Sequence, residues 1–403
     1  MLAPEEQLRI IKSGVFEIKP EELLIKKLKR DEPLNIKLGV DPTAPDIHIG
    51  HAVPLRKLRA FQDLGHHVTL IIGDGTALIG DPSGRNSTRP QLTSEQVAAN
   101  AQTYVNQAFK ILDPEKTTLS HNSEWLLSMG LEDILKVTGL FTVARILERD
   151  DFSKRYNGNL PIGVHEFLYP IMQAYDSVMI KADVELGGTD QLFNLMAGRE
   201  LMEKMGMEPQ VCLTLPLLEG TDGVRKMSKS YGNYVGLTDE PADMFGKVMS
   251  IPDEIMVKYF RLASTLSVDE IDSIEAGLAA GELHPNKVKR QLAANIVAAY
   301  HGEEAAGAAE ADFDRVFKNH DAPKDIPEFA ADLTPNDEGK VYLAKLIADA
   351  GLAKSAGEAR RLIDGGGVKV NGAAIPAKEY NVDPSMLAGA VLQVGKRKFV
   401  RLA

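Results

Sequence analysis

A single cysteine among 403 residues, Cys212, leaves no possibility of an internal disulfide. Set in the apolar stretch VCLTLPLL, it reads as a small buried hydrophobe suited to a reducing cytoplasm. Long uncharged apolar runs are also missing, and none approaches the roughly 20 residues a membrane-spanning helix needs. The opening MLAPEEQLRIIKSG carries acidic residues where an export signal would carry positive charge, so a cytoplasmic, membrane-free protein is expected. No G-x-x-x-x-G-K-[ST] occurs, and in GDGTALIGD (73 to 81) Leu78 stands where a dinucleotide fingerprint needs its third glycine. P-loop and dinucleotide-binding readings both fall away. Internal repeats and low-complexity tracts are absent too.

What is present is an ordinary globular composition, with 44% hydrophobic and 26% charged residues, on a chain long enough for two or three cores. The net charge of -11 argues against a nucleic-acid coat over the whole surface, yet the charge is unevenly spread. From Lys340 to the end, eleven basic residues face five acidic ones.

NIKLGV (35 to 40) reads as a buried strand, HAVPLRKLRAFQDLG as a helix stopped by Gly65, and HVTLIIGD as a second strand. That βαβ order implies a parallel sheet whose ligands sit beyond strand C-termini. SVMIKADVELGG and PQVCLTLPLL supply further strands around the helix DQLFNLMAGRELMEKMG. The fold class expected is α/β: a Rossmann-like parallel-sheet domain over 1–220, with a helical insertion around 120–165. An α-helical domain over 221–320, a proline-rich acidic linker over 321–339 and a small α+β module over 340–403 complete the chain. In the module, SAGE (355 to 358) reads as a capping box, VKVNG as a strand with an Asn-Gly turn, and VLQVGKRKFVRL as a hairpin turning at Gly395.

His48 and His51 in DPTAPDIHIGH share one helix face, which alone fits a zinc pair, a packed or capping pair, or donors to a phosphate. Their place at a helix N-terminus after a strand favours the phosphate. RKMSKS (225 to 230) can lay Lys226 and Lys229 on a polyphosphate, although an isolated K-x-x-K is as often a plain basic loop.

HIGH (48 to 51) together with KMSKS (226 to 230) resembles the signature pair of class I aminoacyl-tRNA synthetases. GVDPTAPDIHIGH, IGDPSGR, YPIMQAYDSV and GGTDQ, in that order, resemble the tyrosyl-tRNA synthetase family in particular, and residues 341 to 402 resemble its S-four-type RNA-binding domain. The resemblance implies ATP-dependent activation of L-tyrosine to tyrosyl-adenylate and transfer to the terminal ribose of tRNA(Tyr). ATP with Mg2+ is then a substrate, no cofactor is permanently bound and no protein metal cage is called for. A homodimer is implied, through the segment LEDILKVTGLFTVARILERDDFSKRYNGN.

By the same resemblance, Thr43 and His48 meet the polyphosphate, His51 the ribose or α-phosphate, and Lys226 and Lys229 the leaving group, with Arg85 and Arg89 assisting. Gly39, Asp41, Gly50, Gly188 and Asp190 complete the ATP site. Asp176 accepts the tyrosine hydroxyl, Asp81, Tyr169 and Gln173 hold its ammonium group, and Gln191 its carboxylate. Lys354, Arg360, Arg361 and Lys369 are the RNA contacts. Lys37 departs from a branch of the family that has tyrosine there, and it is expected beside Asp176, keeping that carboxyl ionised. The rivals are tryptophanyl-tRNA synthetase, which shares fold and signatures, and a synthetase-derived RNA-binding scaffold.

Overall fold

The computed structural model describes residues 1–42, 47–81, 93–317, 326–395 and 398–403, which form two compact units, 1–306 and 307–403. The first is built on a six-stranded sheet: β1 (Glu17–Lys19), β2 (Asn35–Val40), β3 (His67–Ile72), β4 (Thr117–His121), β5 (Val184–Gly188) and β6 (Val211–Leu215). Their spatial order is β1-β6-β5-β2-β3-β4, with β1 antiparallel on the edge and the other five parallel. Ile36, Leu38, Leu70, Ile72, Val184, Leu186, Val211 and Leu213 are all buried, as expected of strands covered on both faces. The chain runs from β2 to β3 on one side and returns to β5 on the other, so β2 and β5 flank the switch point where such sheets open a crevice.

Two strands escape sequence reading for one reason. β1 is three residues long and β4, TTLSH, is a polar edge strand with Leu119 exposed, so neither carries an apolar run. SVMIKADVELGG is only partly strand: its first three residues close the Leu168–Met179 helix, and β5 begins at Val184 after Lys181 takes a positive φ of 52°. Pro54, expected near the first turn, lies inside the Ile49–Asp63 helix, leaving the Gly50 carbonyl without its N–H partner four residues on.

Between β4 and the Leu168–Met179 helix stand four short helices, Ser123–Leu126, Leu131–Thr138, Val143–Leu147 and Asp150–Asn157. Val137, Ile146 and Phe152 pack them onto Ile171 and Met172, and the buried Arg155–Glu166 pair, 2.6 Å, ties the last to the chain beyond it. After β6 the chain turns helical, as expected, but Pro241–Met249, Met256–Ala263, Val268–Ala279 and Pro285–His301 belong to the same compact unit as the sheet. Met256–Ala263 packs on the Ile49–Asp63 helix. Gly302, at φ 88°, separates the last of these helices from Glu303–Phe317.

The second unit has its own core around Leu343, Ile347, Ile363, Val368, Leu392 and Leu402. Its strands are β7 (Glu328–Phe329), β8 (Val341–Tyr342), β9 (Val368–Val370), β10 (Ala373–Ala374), β11 (Asn381–Val382), β12 (Val391–Val394) and β13 (Lys398–Leu402). Five make one sheet, β10-β9-β12-β13-β7, and β8 pairs with β11. Asn371 and Gly372, both at positive φ (48° and 82°), turn β9 into β10, and Gly395 at φ 65° follows β12. From residue 326 on, the acidic segment expected to be linker departs from that reading: β7 pairs with β13, and Phe329, Ala331 and Leu333 pack on the core. Ser355 caps the Ala356–Asp364 helix through the Glu358 N–H at 3.2 Å, while the Glu358 carboxylate takes the Lys354 N–H instead of closing the box on Ser355.

Candidate active site

A cavity of about 590 Å³ opens at the C-terminal ends of β2 and β5. Gly39 near the end of β2 and Asp41 just past it line its wall, as do Gly187 and Gly188 ending β5 and Asp190 and Gln191 beyond it. The same wall carries His48, Gly50 and His51 at one end, Tyr169, Gln173 and Asp176 at the other, and Lys226 to Lys229 across the opening.

His48 is the N-cap of the Ile49–Asp63 helix, and its ring stacks on His51 with centroids 3.7 Å apart and 16° between planes. Burial first, then the neighbouring His51 and the Lys229 charge, push the His48 pKa down to about 3, so the ring is neutral at physiological pH. His51 stands at the accessible mouth of the cavity. Its pKa is lowered as well, by the protein packed around its base and then by Lys229 and Lys226. His48 Nδ1 is buried with no hydrogen-bond partner among the described residues. A Cβ on Gly50 would come within 3.0 Å of that ring, so a larger residue there would push the His48 ring aside.

The segment just beyond KMSKS, residues 235 to 237, joins this end through the backbone. Ile49 N–H donates to Val235 O at 2.9 Å, Leu237 N–H to Ile47 O at 3.1 Å, and His48 bridges Gly236. Met227 is buried against Gly50, while Lys226 and Lys229 are exposed. Asn233, buried at the base, accepts from Ser228 N–H at 2.9 Å and donates to the Arg225 and Lys226 carbonyls, holding the loop's shape.

At the far end Asp176 is 2% exposed and accepts from Trp125 Nε1 at 2.8 Å and Asn122 Nδ2 at 3.2 Å. Burial lifts its pKa to about 6 against the lowering effect of Lys37 and of these two donors. Lys37 lowers that pKa without pairing with the carboxylate, which corrects the sequence expectation. Its ammonium has three N–H groups, and all three are spent: on Glu185 Oε1 at 2.8 Å, Ser177 Oγ at 2.8 Å and Gln173 O at 2.9 Å. The sequence could not reveal this partner, because Glu185 lies inside an apolar strand 148 positions away.

Between the two ends runs a polar network. Tyr169 donates to Asp41 Oδ2 at 2.9 Å, and Thr76 to Asp41 Oδ1 at 2.9 Å, so this carboxylate, expected in the ATP site, here orients Tyr169. Gln191 and Arg149 both donate to Asp81, at 3.1 and 3.3 Å, and Asn194 donates to both Gln173 and Gln191 at 2.9 Å. A Cβ on Gly188 would stand 2.6 Å from the Asp190 carboxylate as placed, and would force that side chain to move. Thr43, Arg85 and Arg89 lie outside the described residues, as do Lys396 and Arg397 of the basic tail. Asn122, Trp125, Arg149, Glu185, Asn194 and Asn233 were missed. Asn122, Trp125, Arg149, Glu185 and Asn194 act through partners distant in sequence, while Asn233 acts on the loop just before it.

In the second unit Lys354, Arg360 and Arg361 are exposed and Lys369 half-buried. Arg360 donates to Tyr342 OH at 2.5 Å and lies 5.5 and 5.6 Å from the Tyr342 and Tyr380 ring centroids, which fixes its guanidinium at the surface.

Residues 29–318 match the family model of tRNA synthetases class I (W and Y), and residues 343–387 match the S4 domain; the chain belongs to the class I tRNA synthetases. Within that class it belongs to the tyrosine–tRNA ligase family. It is 52% identical to the tyrosine–tRNA ligase of Moorella thermoacetica over 98% of this chain and 95% of that one. It is also 52% identical to that of Aquifex aeolicus, over 100% and 99%. Among solved structures, a C-terminally truncated mitochondrial tyrosyl-tRNA synthetase of Aspergillus nidulans superposes with a TM-score of 0.64 at 23% identity, over 78% of this chain and 99% of that chain. The L-tyrosine complex of the Archaeoglobus fulgidus enzyme gives 0.62 at 24%, over 76% and 99%. At those identities the superpositions speak for the fold.

Proposed function

We propose that the chain is a tyrosine–tRNA ligase that makes tyrosyl-adenylate from ATP and L-tyrosine and passes tyrosine to tRNA(Tyr). The observation that carries this reading is that two motifs nearly two hundred positions apart line one cavity, with a buried carboxyl at the opposite end. Activation needs no general base, because an amino-acid carboxyl is already ionised at neutral pH. What remains is to align it with the α-phosphorus and to stabilise charge as pyrophosphate leaves. Neutral His48 and His51 offer N–H donors at a helix N-terminus, and Lys226 and Lys229 add charge over the leaving group. Asp176 accepts the substrate hydroxyl, Asp81, Tyr169 and Gln173 receive the ammonium group, and Asp190 and Gln191 take the ribose and carboxylate. Mg2+ comes with the ATP, since the residues around the phosphates are cationic or neutral donors. Pyrophosphate exchange measured across the amino acids tests the reading: exchange with tyrosine is expected, and exchange with tryptophan alone would refute it.

The division of labour follows the domains: activation in 1–220, closure and anticodon contact in 221–320, and RNA contacts from Lys354, Arg360, Arg361 and Lys369. Replacing Arg360 and Arg361 by alanine weakens tRNA binding and lowers the slope of log affinity against log salt by about 0.7 to 0.9 per lost phosphate contact. Pyrophosphate exchange stays unchanged, and a parallel loss of exchange would refute the division. Homodimerisation is part of the proposal: Leu127, Leu131, Leu135, Val143, Tyr156, Leu160 and Val164, exposed between 48% and 82%, crowd one short segment. Changing Leu135 and Val164 to aspartate is expected to yield monomers by light scattering. The compartment proposed is the cytoplasm; no helix among the described residues is long and apolar enough to cross a membrane.

A further inference from the structure

Beneath the cavity floor, and outside its lining, Lys37 and Glu185 form an ion pair at 2.8 Å with exposures of 0% and 1%. Burying two charges is expensive, and a well-packed apolar pair of similar size is often as stable. Stability alone therefore gives a weak reason for the pair. We propose that Lys37 and Glu185 are positioning residues for the substrate ammonium group, fixing which end of the Gln173 amide faces tyrosine; the inference rests on the tyrosine site proposed above.

The argument follows donors and acceptors along the network. An ionised carboxylate only accepts, so Glu185 draws the Gln173 NH2 toward its Oε1, at 3.2 Å. A guanidinium only donates, so Arg149 draws Asn194 Oδ1 toward its Nη1, at 3.1 Å, which turns the Asn194 NH2 toward Gln173 Oε1 at 2.9 Å. Both ends demand the same orientation. A flipped Gln173 amide would press oxygen against carboxylate and NH2 against NH2. Held as it is, Gln173 has a second lone pair on Oε1 to offer the cavity, which suits an ammonium and repels nothing.

Lys37 makes this possible in two ways. Its ammonium stands 2.8 Å from Glu185 Oε1, while Ser177 Oγ at 3.3 Å and Gln210 Nε2 donate to Oε2, so donors meet both carboxylate oxygens. It also donates to the Gln173 carbonyl at 2.9 Å, anchoring the helix at the residue whose side chain is being aimed. The pair therefore acts on substrate through Gln173.

The test uses the full-length chain carrying Lys37→Met with Glu185→Met, which removes both charges together, and separately Glu185→Gln. Three quantities are read in pyrophosphate exchange: KM for tyrosine, KM for ATP, and the inhibition constants of tyramine and 4-ethylphenol, which differ by the ammonium group. Losing one charge-assisted hydrogen bond predicts a rise of about ten- to a hundredfold in the tyrosine KM and a similar collapse of the tyramine preference. The ATP KM should stay within about twofold, since that end of the cavity shares no partner with the pair. A double variant that melts like the parent and keeps both the tyrosine KM and the tyramine preference overturns the proposal. If the double variant does not fold, the same retention in Glu185→Gln overturns it. Should the parent chain itself show no preference for tyramine, the tyrosine-site reading fails instead.

Discussion

Replacing His48 and His51 together by alanine lowers the rate of tyrosine-dependent pyrophosphate exchange by about a thousandfold or more, the cost of removing preorganised donors from developing charge. Equilibrium binding of tyrosine should stay within about twofold, because the imidazoles stand at the other end of the cavity. The size of the effect follows from what the reaction leaves for the protein to do. The nucleophile is already an anion, so the barrier lies in alignment and in charge flowing onto pyrophosphate. His48 is held neutral by burial, by His51 and by Lys229, and His51 is pushed the same way by the protein around it and by Lys229 and Lys226. Each then contributes a directed N–H at the positive end of a helix dipole, ahead of any ligand and without reorganisation. Stopped-flow or exchange kinetics on a variant that melts like the parent measure the loss. A rate within tenfold of the parent would remove the imidazoles from the mechanism.

The second large effect concerns Asp176 and pH. Tyrosine affinity for the nucleotide-free chain is expected to weaken about tenfold per pH unit below about 6 and to level off above it. The hydroxyl needs an ionised acceptor, and burial makes that acceptor hard to ionise. The fold responds in the opposite sense. A carboxyl whose pKa is raised in the folded state favours folding when protonated, so its contribution to stability is present below the unfolded value and is lost as pH rises through about 6. Acidification therefore steadies this site while it loosens tyrosine. Asp176→Asn removes the pH dependence and weakens tyrosine by about ten- to a hundredfold at neutral pH, the worth of a hydrogen bond to a charged group. Calorimetric titrations between pH 5 and about 7.5 separate this from the histidines, whose lowered pKa values keep them neutral there. Tyrosine affinity that stays flat through this range would refute the assignment.

The motif residues were legible because their chemistry is local. A helix N-terminus with two imidazoles, a lysine-rich turn and the Tyr169, Gln173, Asp176 face of one helix announce themselves by spacing. Asn194, Arg149 and Glu185 announce nothing. They lie on a helix, at a helix N-cap and in an apolar strand, and their roles exist only through partners 12 to 148 positions away. The expected linker failed similarly: β7 has two residues, and pairing with β13, not its own composition, makes it a strand. Lys37 is the clearest case, since its sequence neighbourhood is an apolar strand and its three donors are claimed by groups from another helix and strand.

By itself the sequence determined the parallel sheet, its first crossover and the donors offered to a triphosphate, since each follows from periodicity or residue type within a short window. Tertiary structure alone decided where Lys37 puts its charge, which way the Gln173 amide faces and how far Asp176 is from ionising. Those depend on burial and on which donor meets which acceptor across the fold, and neither is written along the chain.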